Sequence, residues 1–340
     1  MRRSLSRKAS EWPKAWMQGG GVESHCIGDG NLYLLKPGTG LVGLTANGVV
    51  SFLNDKMTDI PHPNTTSGQL NPSISPSGIS FRVSGVDDAK VETTKWTDEK
   101  GQIQEKRDVT NAALNYIARF DKDGTYRDAI KLDLPFIVYQ FAAFDSGNLL
   151  AQGLDQNKVP RVALLDASAQ FLRYLDLRKD VSTSKAVSGE DIKCDGCTAD
   201  VGSVVFNGYF TPWRGKILFK REDAGAARVY EIQDGGEVRV VNVKVPDGYN
   251  IGGLVPTDGN WLFWINKPDS REAGTESFLE VDPQNGEPLR EYRVKPPDKS
   301  PETDVSCFFD GEFWGIRRDE KQQKLTVVRG SAELYRGRNQ

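Results

Sequence analysis

Apolar residues in this chain come in short runs of about four to eight, broken at close intervals by Gly, Asp, Asn and Ser, and no stretch sustains helical spacing. The clearest unit runs from Val138 to Leu177. It reads as a strand to Phe144, the turn Asp145-Ser146-Gly147, a strand Asn148 to Gly153, a strand Arg161 to Leu165, a polar turn Asp166 to Gln170 and a strand Phe171 to Leu177. Four antiparallel strands in about 40 residues joined by tight turns form one blade of a radial sheet repeat.

The unit recurs around turn glycines at Gly30, Gly78, Gly147, Gly215, Gly259 and Gly311, and five of them follow Asp29, Ser77, Ser146, Asp258 and Asp310. Glycine supplies positive φ, and Asp or Ser bonds the local backbone. Second turns follow at Asn47-Gly48, Asp123-Gly124, Gly235-Gly236 and Asn285-Gly286. The pattern predicts an all-β six-bladed β-propeller with four antiparallel strands per blade. It spans residues 22–336, with blades near 22–54, 70–131, 137–178, 201–244, 249–294 and 303–336. Insertions are expected at 85–111 and 179–200, and a basic flexible arm at 1–21. Loops from the second to the third strand and loops between blades emerge on the same face, so that face is the functional candidate.

Composition narrows the classes. The net charge of −3 gives no field for sequence-independent nucleic-acid binding. No apolar run approaches the roughly 18 residues of a membrane span. The arm carries +4, from Arg2, Arg3, Arg7, Lys8 and Lys14 against Glu11, without the apolar segment of an export signal. The chain as given therefore reads as cytoplasmic, or as extracytoplasmic if the N-terminus is truncated or misassigned. A monomer is expected.

Catalytic signatures are sparse. There are two histidines, and no GxSxG elbow, P-loop or dinucleotide fingerprint stands in a suitable context. Cys26 and Cys307 each lie four residues before their turn glycine, in a slot filled elsewhere by Ile74, Ala143 and Val255. Equivalent atoms on neighbouring inner strands are expected more than roughly 7 Å apart, so both are read as buried thiols. Cys194-Asp195-Gly196-Cys197 is read as a local loop disulfide or thiol pair, because a zinc site needs further ligands. Trp261, Phe263, Trp264, Phe313 and Trp314 are expected to pack between blades, and Lys90 to Asp108 to form a solvated hairpin. Polar residues near the tops of the inner strands, Glu23, Asn71, Gln140, Asn207, Asn250 and Asp304, face the channel mouth, where hard oxygen ligands suit a divalent ion.

The blade pattern, as in Phe144-Asp145-Ser146-Gly147-Asn148-Leu149-Leu150 and Leu165-Asp166 before Phe171-Leu172, resembles bacterial six-bladed propellers of the NHL and TolB-like type. The resemblance implies a binding or scaffold module. A narrower similarity is to the gluconolactonase and regucalcin family, in Val22-Glu23-Ser24 and in Asp304 to Gly311. It implies a divalent cation (Ca, Zn or Mn) held by Glu23, Asn71 or Asn207, Asn250 and Asp304, with Asp304 also a general base. The departures are Ile251 after Asn250, Pro72 after Asn71, and Gln140. The leading expectation is a non-enzymatic module that needs no cofactor and binds a protein, peptide or glycan on the insertion-bearing face. The alternative is a metal-dependent lactonase-type hydrolase.

Overall fold

The structure, a computed structural model, describes residues 4–8, 23–27, 31–36, 40–44, 50–52, 65–75, 77–86, 90–110, 113–122, 125–155, 160–175, 177, 210–223, 226–266, 276–294, 303–319, 324–330 and 333–335. Among these the chain is all-β, with 27 strands and no helix.

Sheet 1 holds β2 (Glu23–Ile27), β3 (Asn31–Lys36), β4 (Gly40–Leu44) and β5 (Val50–Phe52). Sheet 2 holds β6 (Thr65–Ser75), β7 (Gly78–Val86), β10 (Ala113–Phe120) and β11 (Tyr126–Leu132). Between β7 and β10 the chain makes a separate ribbon, β8 (Lys90–Thr97) with β9 (Ile103–Thr110). Sheet 3 is β12 (Phe136–Ala143), β13 (Leu149–Asp155), β14 (Pro160–Leu165) and β15 (Phe171–Leu175). Sheet 4 is β16 (Phe210–Trp213), β17 (Lys216–Asp223), β18 (Ala226–Ile232) and β19 (Val238–Val243). Sheet 5 is β20 (Asn250–Val255), β21 (Trp261–Asn266), β22 (Glu276–Val281) and β23 (Pro288–Val294), extended by β27 (Glu333–Tyr335). Sheet 6 is β24 (Thr303–Phe309), β25 (Glu312–Asp319) and β26 (Lys324–Gly330), completed by β1 (Ser4–Lys8).

Hairpin chemistry sets these meanders. Arg214-Gly215 and Asp310-Gly311 both have positive φ at both positions (48° and 73°, 51° and 72°), the two-residue turn whose twist matches antiparallel strands. Trp213 then pairs with Lys216, and Phe309 with Glu312. Alternation sends the side chains of each strand to both neighbouring sheets. In β21, Trp261, Phe263 and Ile265 pack with Trp213, Leu218 and Val229 of sheet 4, while Leu262 packs with Phe313 of sheet 6. Comparable clusters join sheets 1 and 2 through Tyr33 and Phe81, sheets 2 and 3 through Ile117 and Phe136, and sheets 3 and 4 through Leu150 and Phe219. β2 lies against β24, so the last sheet meets the first. A β-propeller of four-stranded antiparallel blades results.

Four features differ from the sequence expectation. Five sheets have four strands, where six such blades are predicted, and sheet 5 has five. Ser4–Lys8, within the stretch expected as a flexible arm, pairs antiparallel with β26. Glu333–Tyr335, assigned to the last blade, pairs instead with Glu291–Arg293 of β23. Both swaps join residues distant in sequence, which no local pattern encodes. The fourth difference is Cys307: it is buried, as expected, but it is disulfide-bonded and not a free thiol. Cys194, Cys197, Asn207 and the insertion 179–200 lie outside the described residues.

Candidate functional site at the mouth between sheets 5 and 6

Antiparallel connectivity ends β26, which leads to β27 of sheet 5, on one face of the propeller, and puts the β7-to-β10 connection and the connections from the fourth strand of one sheet to the first strand of the next on the other. The β8–β9 ribbon departs there, exposing Trp96 (48 %) and Ile103 (75 %), and Asp98 ties its tip through Lys100 N, Gln102 N and Gln104 Nε2, each at 2.9 Å. The hairpin expected at Lys90 to Asp108 is therefore an exposed ribbon. It stands on the same rim as the strand ends that carry the predicted site residues.

Glu23 and Asn250 open β2 and β20, Asp304 is second in β24, and Asn71 lies in the irregular part of β6, where the register to β7 shifts. The backbone thus brings Glu23, Asn250 and Asp304 to the same end of three inner strands. Asn250 is exposed, while the side chains of Glu23, Asn71 and Asp304 are outside the described set. Gln140 is on β12 opposite Gln152, away from sheets 5 and 6. No group of three or more His, Cys, Asp or Glu able to hold a metal occurs among the described residues.

Sequence reasoning missed Trp264. Of the five aromatics expected between blades, Trp261, Phe263, Phe313 and Trp314 are buried, but Trp264 is 40 % exposed. Its parity in β21 is that of Leu262, so it faces sheet 6, across from Phe278 on β22. It rests on bare backbone at Gly252, where a Cβ would collide with the indole ring. Two residues further along β21, Asn266 pairs with Asn250 on one side; on the other, the register of β22 brings Glu276 opposite it. Glu276 Oε2 accepts a hydrogen bond from Val305 N of β24 at 3.3 Å. An indole face, two carboxamides and one carboxylate thus line the loop-bearing end of the crevice between sheets 5 and 6. Its far end is closed by Phe308 N donating to Pro256 O at 3.0 Å and by the Thr257–Phe308 bridge. A flat apolar ring beside groups that both donate and accept suits a ligand with an apolar face and hydroxyl edges.

Other buried charges work as struts. Lys220 Nζ donates to Ile251 O at 2.9 Å, and Arg82 Nη1 donates to Val138 O, each reaching the inner strand of the next sheet. Glu231, 2 % exposed, meets Lys216 Nζ at 2.5 Å and Arg239 Nη2 at 2.6 Å. Burial pulls its carboxyl upward, but the hydrogen bonds from Arg239 and Lys216 outweigh it and hold the group below the usual carboxylate range. On the opposite, short-turn face a crevice of ≈ 100 Å³ lies between sheets 2 and 3, lined by Ser77, Ser80, Arg119, Arg127 and Ser146. Its guanidinium groups are held by Asp128, by Ala167 O at 2.7 Å and by Ser77 O at 3.0 Å.

No family model and no curated protein matches this sequence. Among solved structures the chain is similar to a streptogramin B lyase, at 12% identity and a TM-score of 0.40 over 92% of this chain and 93% of that one. A glucose dehydrogenase is similar at 12% identity and 0.40, over 91% and 95%. The Pan2 WD40 domain of Neurospora crassa is similar at 8% identity and 0.39, over 91% and 89%. Among the described residues no helix is long and apolar enough to cross a membrane.

Proposed function

We propose that this protein is a non-enzymatic propeller module that binds a glycan on its loop-bearing face, with Trp264 as the platform. The observation that carries the reading is the exposure of Trp264, alone among the five inter-blade aromatics, beside Asn250, Asn266 and Glu276. Sugar C–H faces pack on an indole, and amides and carboxylates satisfy hydroxyl groups in both donor and acceptor senses. We infer further that sheet 5 is a blade bearing one added strand, which gives a ring of six. The NHL and TolB-like resemblance is consistent with that ring, and it rests on the sequence pattern.

The test is a titration of the protein with a panel of short neutral oligosaccharides, followed by tryptophan fluorescence and calorimetry. Binding is expected to be lost in Trp264→Ala while the melting temperature stays near that of the parent. Absence of binding across the panel, or equal binding by Trp264→Ala, overturns the reading.

The backbone juxtaposition of Glu23, Asn250 and Asp304 favours a second reading, a metal-dependent hydrolase of the lactonase type. A Ca, Zn or Mn ion held by Glu23, Asn71 or Asn207, Asn250 and Asp304 would supply Lewis-acid polarisation of the ester carbonyl, with Asp304 as general base. A rise in melting temperature with the ion, lost in Glu23→Ala and Asp304→Ala, together with lactone turnover, would favour it.

A further inference from the structure

Cys307 is disulfide-bonded, and three other cysteines, Cys26, Cys194 and Cys197, can supply its partner. We propose that the partner is Cys26 and that the bond is a covalent clasp closing the propeller ring. Cys307 lies in β24, the innermost strand of sheet 6, opposite Trp314. Cys26 lies in β2, the innermost strand of sheet 1, opposite Leu32. β2 and β24 are neighbours, and each cysteine lies within the last three residues of its strand. Cys194 and Cys197 fall in sequence between β15 of sheet 3 and β16 of sheet 4.

The clasp sits at the one junction that chain connectivity does not close in order. Every other pair of neighbouring sheets is joined by the strand-to-strand path, from β5 to β6 and onward to β24. Among the described residues, the strand that carries the chain from sheet 6 to sheet 1 is β1, whose five residues pair with β26. A five-residue strand at the edge of a sheet opens readily. A bond between inner strands holds the two sheets together when β1 lets go. It encloses nearly the whole chain, the case in which a cross-link removes most freedom from the unfolded state.

Formation is a two-electron oxidation. The Cys26 and Cys307 thiols lose two protons and two electrons through a mixed disulfide with a dithiol–disulfide oxidoreductase, or with a small disulfide such as oxidised glutathione. That oxidant leaves as its thiols. Such a bond persists in an oxidising compartment, so the protein is inferred to mature there.

The experiment folds the full chain with oxidised glutathione, blocks free thiols with iodoacetamide under denaturing conditions and digests it with trypsin without reductant. A joined species of peptides 15–56 and 300–317 is expected, separated by reduction. Peptide 300–317 joined to the peptide bearing Cys194 and Cys197, or all four cysteines alkylated, overturns the proposal. Reduction is expected to lower the melting temperature by roughly 5–10 °C. The shift should vanish in Cys26→Ser, and a shift that persists in Cys26→Ser also overturns it.

Discussion

Lys220 of sheet 4 and Trp264 of sheet 5 occupy the same place in their blades. Each lies five residues after its turn glycine, Gly215 or Gly259, and each faces the next sheet. Lys220 is buried and its ammonium is bonded to the inner strand of sheet 5, so the boundary between sheets 4 and 5 is sealed. Trp264 is 40 % exposed and rests above Gly252, so the boundary between sheets 5 and 6 opens at the loop-bearing rim. One blade position serves as a strut in one crevice and as a platform in the next.

That contrast can be broken from the sealed side first. Trp261 is fully buried in the 4/5 boundary, edge-on to Trp213 at 6.0 Å. Trp261→Ala is expected to cost about 3–5 kcal/mol in a denaturant melt, through lost burial and the cavity left behind. Lys220→Met keeps most of the aliphatic volume and removes the ammonium from Ile251 O. A cost of about 1–3 kcal/mol is expected, the range for leaving a buried acceptor without its donor. If Lys220→Met is as stable as the parent, the strut reading fails.

Glu231 sharpens the comparison through pH. It anchors Arg239, whose Nη2 also donates to Pro283 O of sheet 5 at 2.9 Å, so the carboxylate supports the 4/5 boundary from a distance. Its folded-state pKa is depressed below the ordinary glutamate value of 4.5, so its contribution is present above that pH and is lost as pH falls through the folded value. Glu231→Gln is therefore expected to be less stable by about 1–2 kcal/mol near neutrality. The gap to the parent should narrow as melts are taken below pH 4.5, and a gap constant with pH would remove Glu231 from the account. The smallest effect belongs to the open side. Trp264→Ala should change stability by less than about 1 kcal/mol, because much of the ring already contacts water. A loss as large as that of Trp261→Ala would make Trp264 a core residue and close the contrast.

Reading the sequence reached as far as the local rules reach. Turn glycines, most with Asp, Ser or Asn before them, and alternating apolar runs determined a meander of short antiparallel strands with both faces buried. They also placed Glu23, Asn250 and Asp304 at one end of the inner strands, since strand direction follows from the order of the turns. Only the tertiary structure decided which strands finish which sheet. β1 joins β26 and β27 joins β23 across most of the chain, and edge pairing of that kind depends on backbone groups that every residue carries alike. It also decided that Cys307 is bonded and that Trp264 is exposed. Alternation says which way a side chain points, but the neighbouring sheet, brought there by the closing of the ring, determines what it meets.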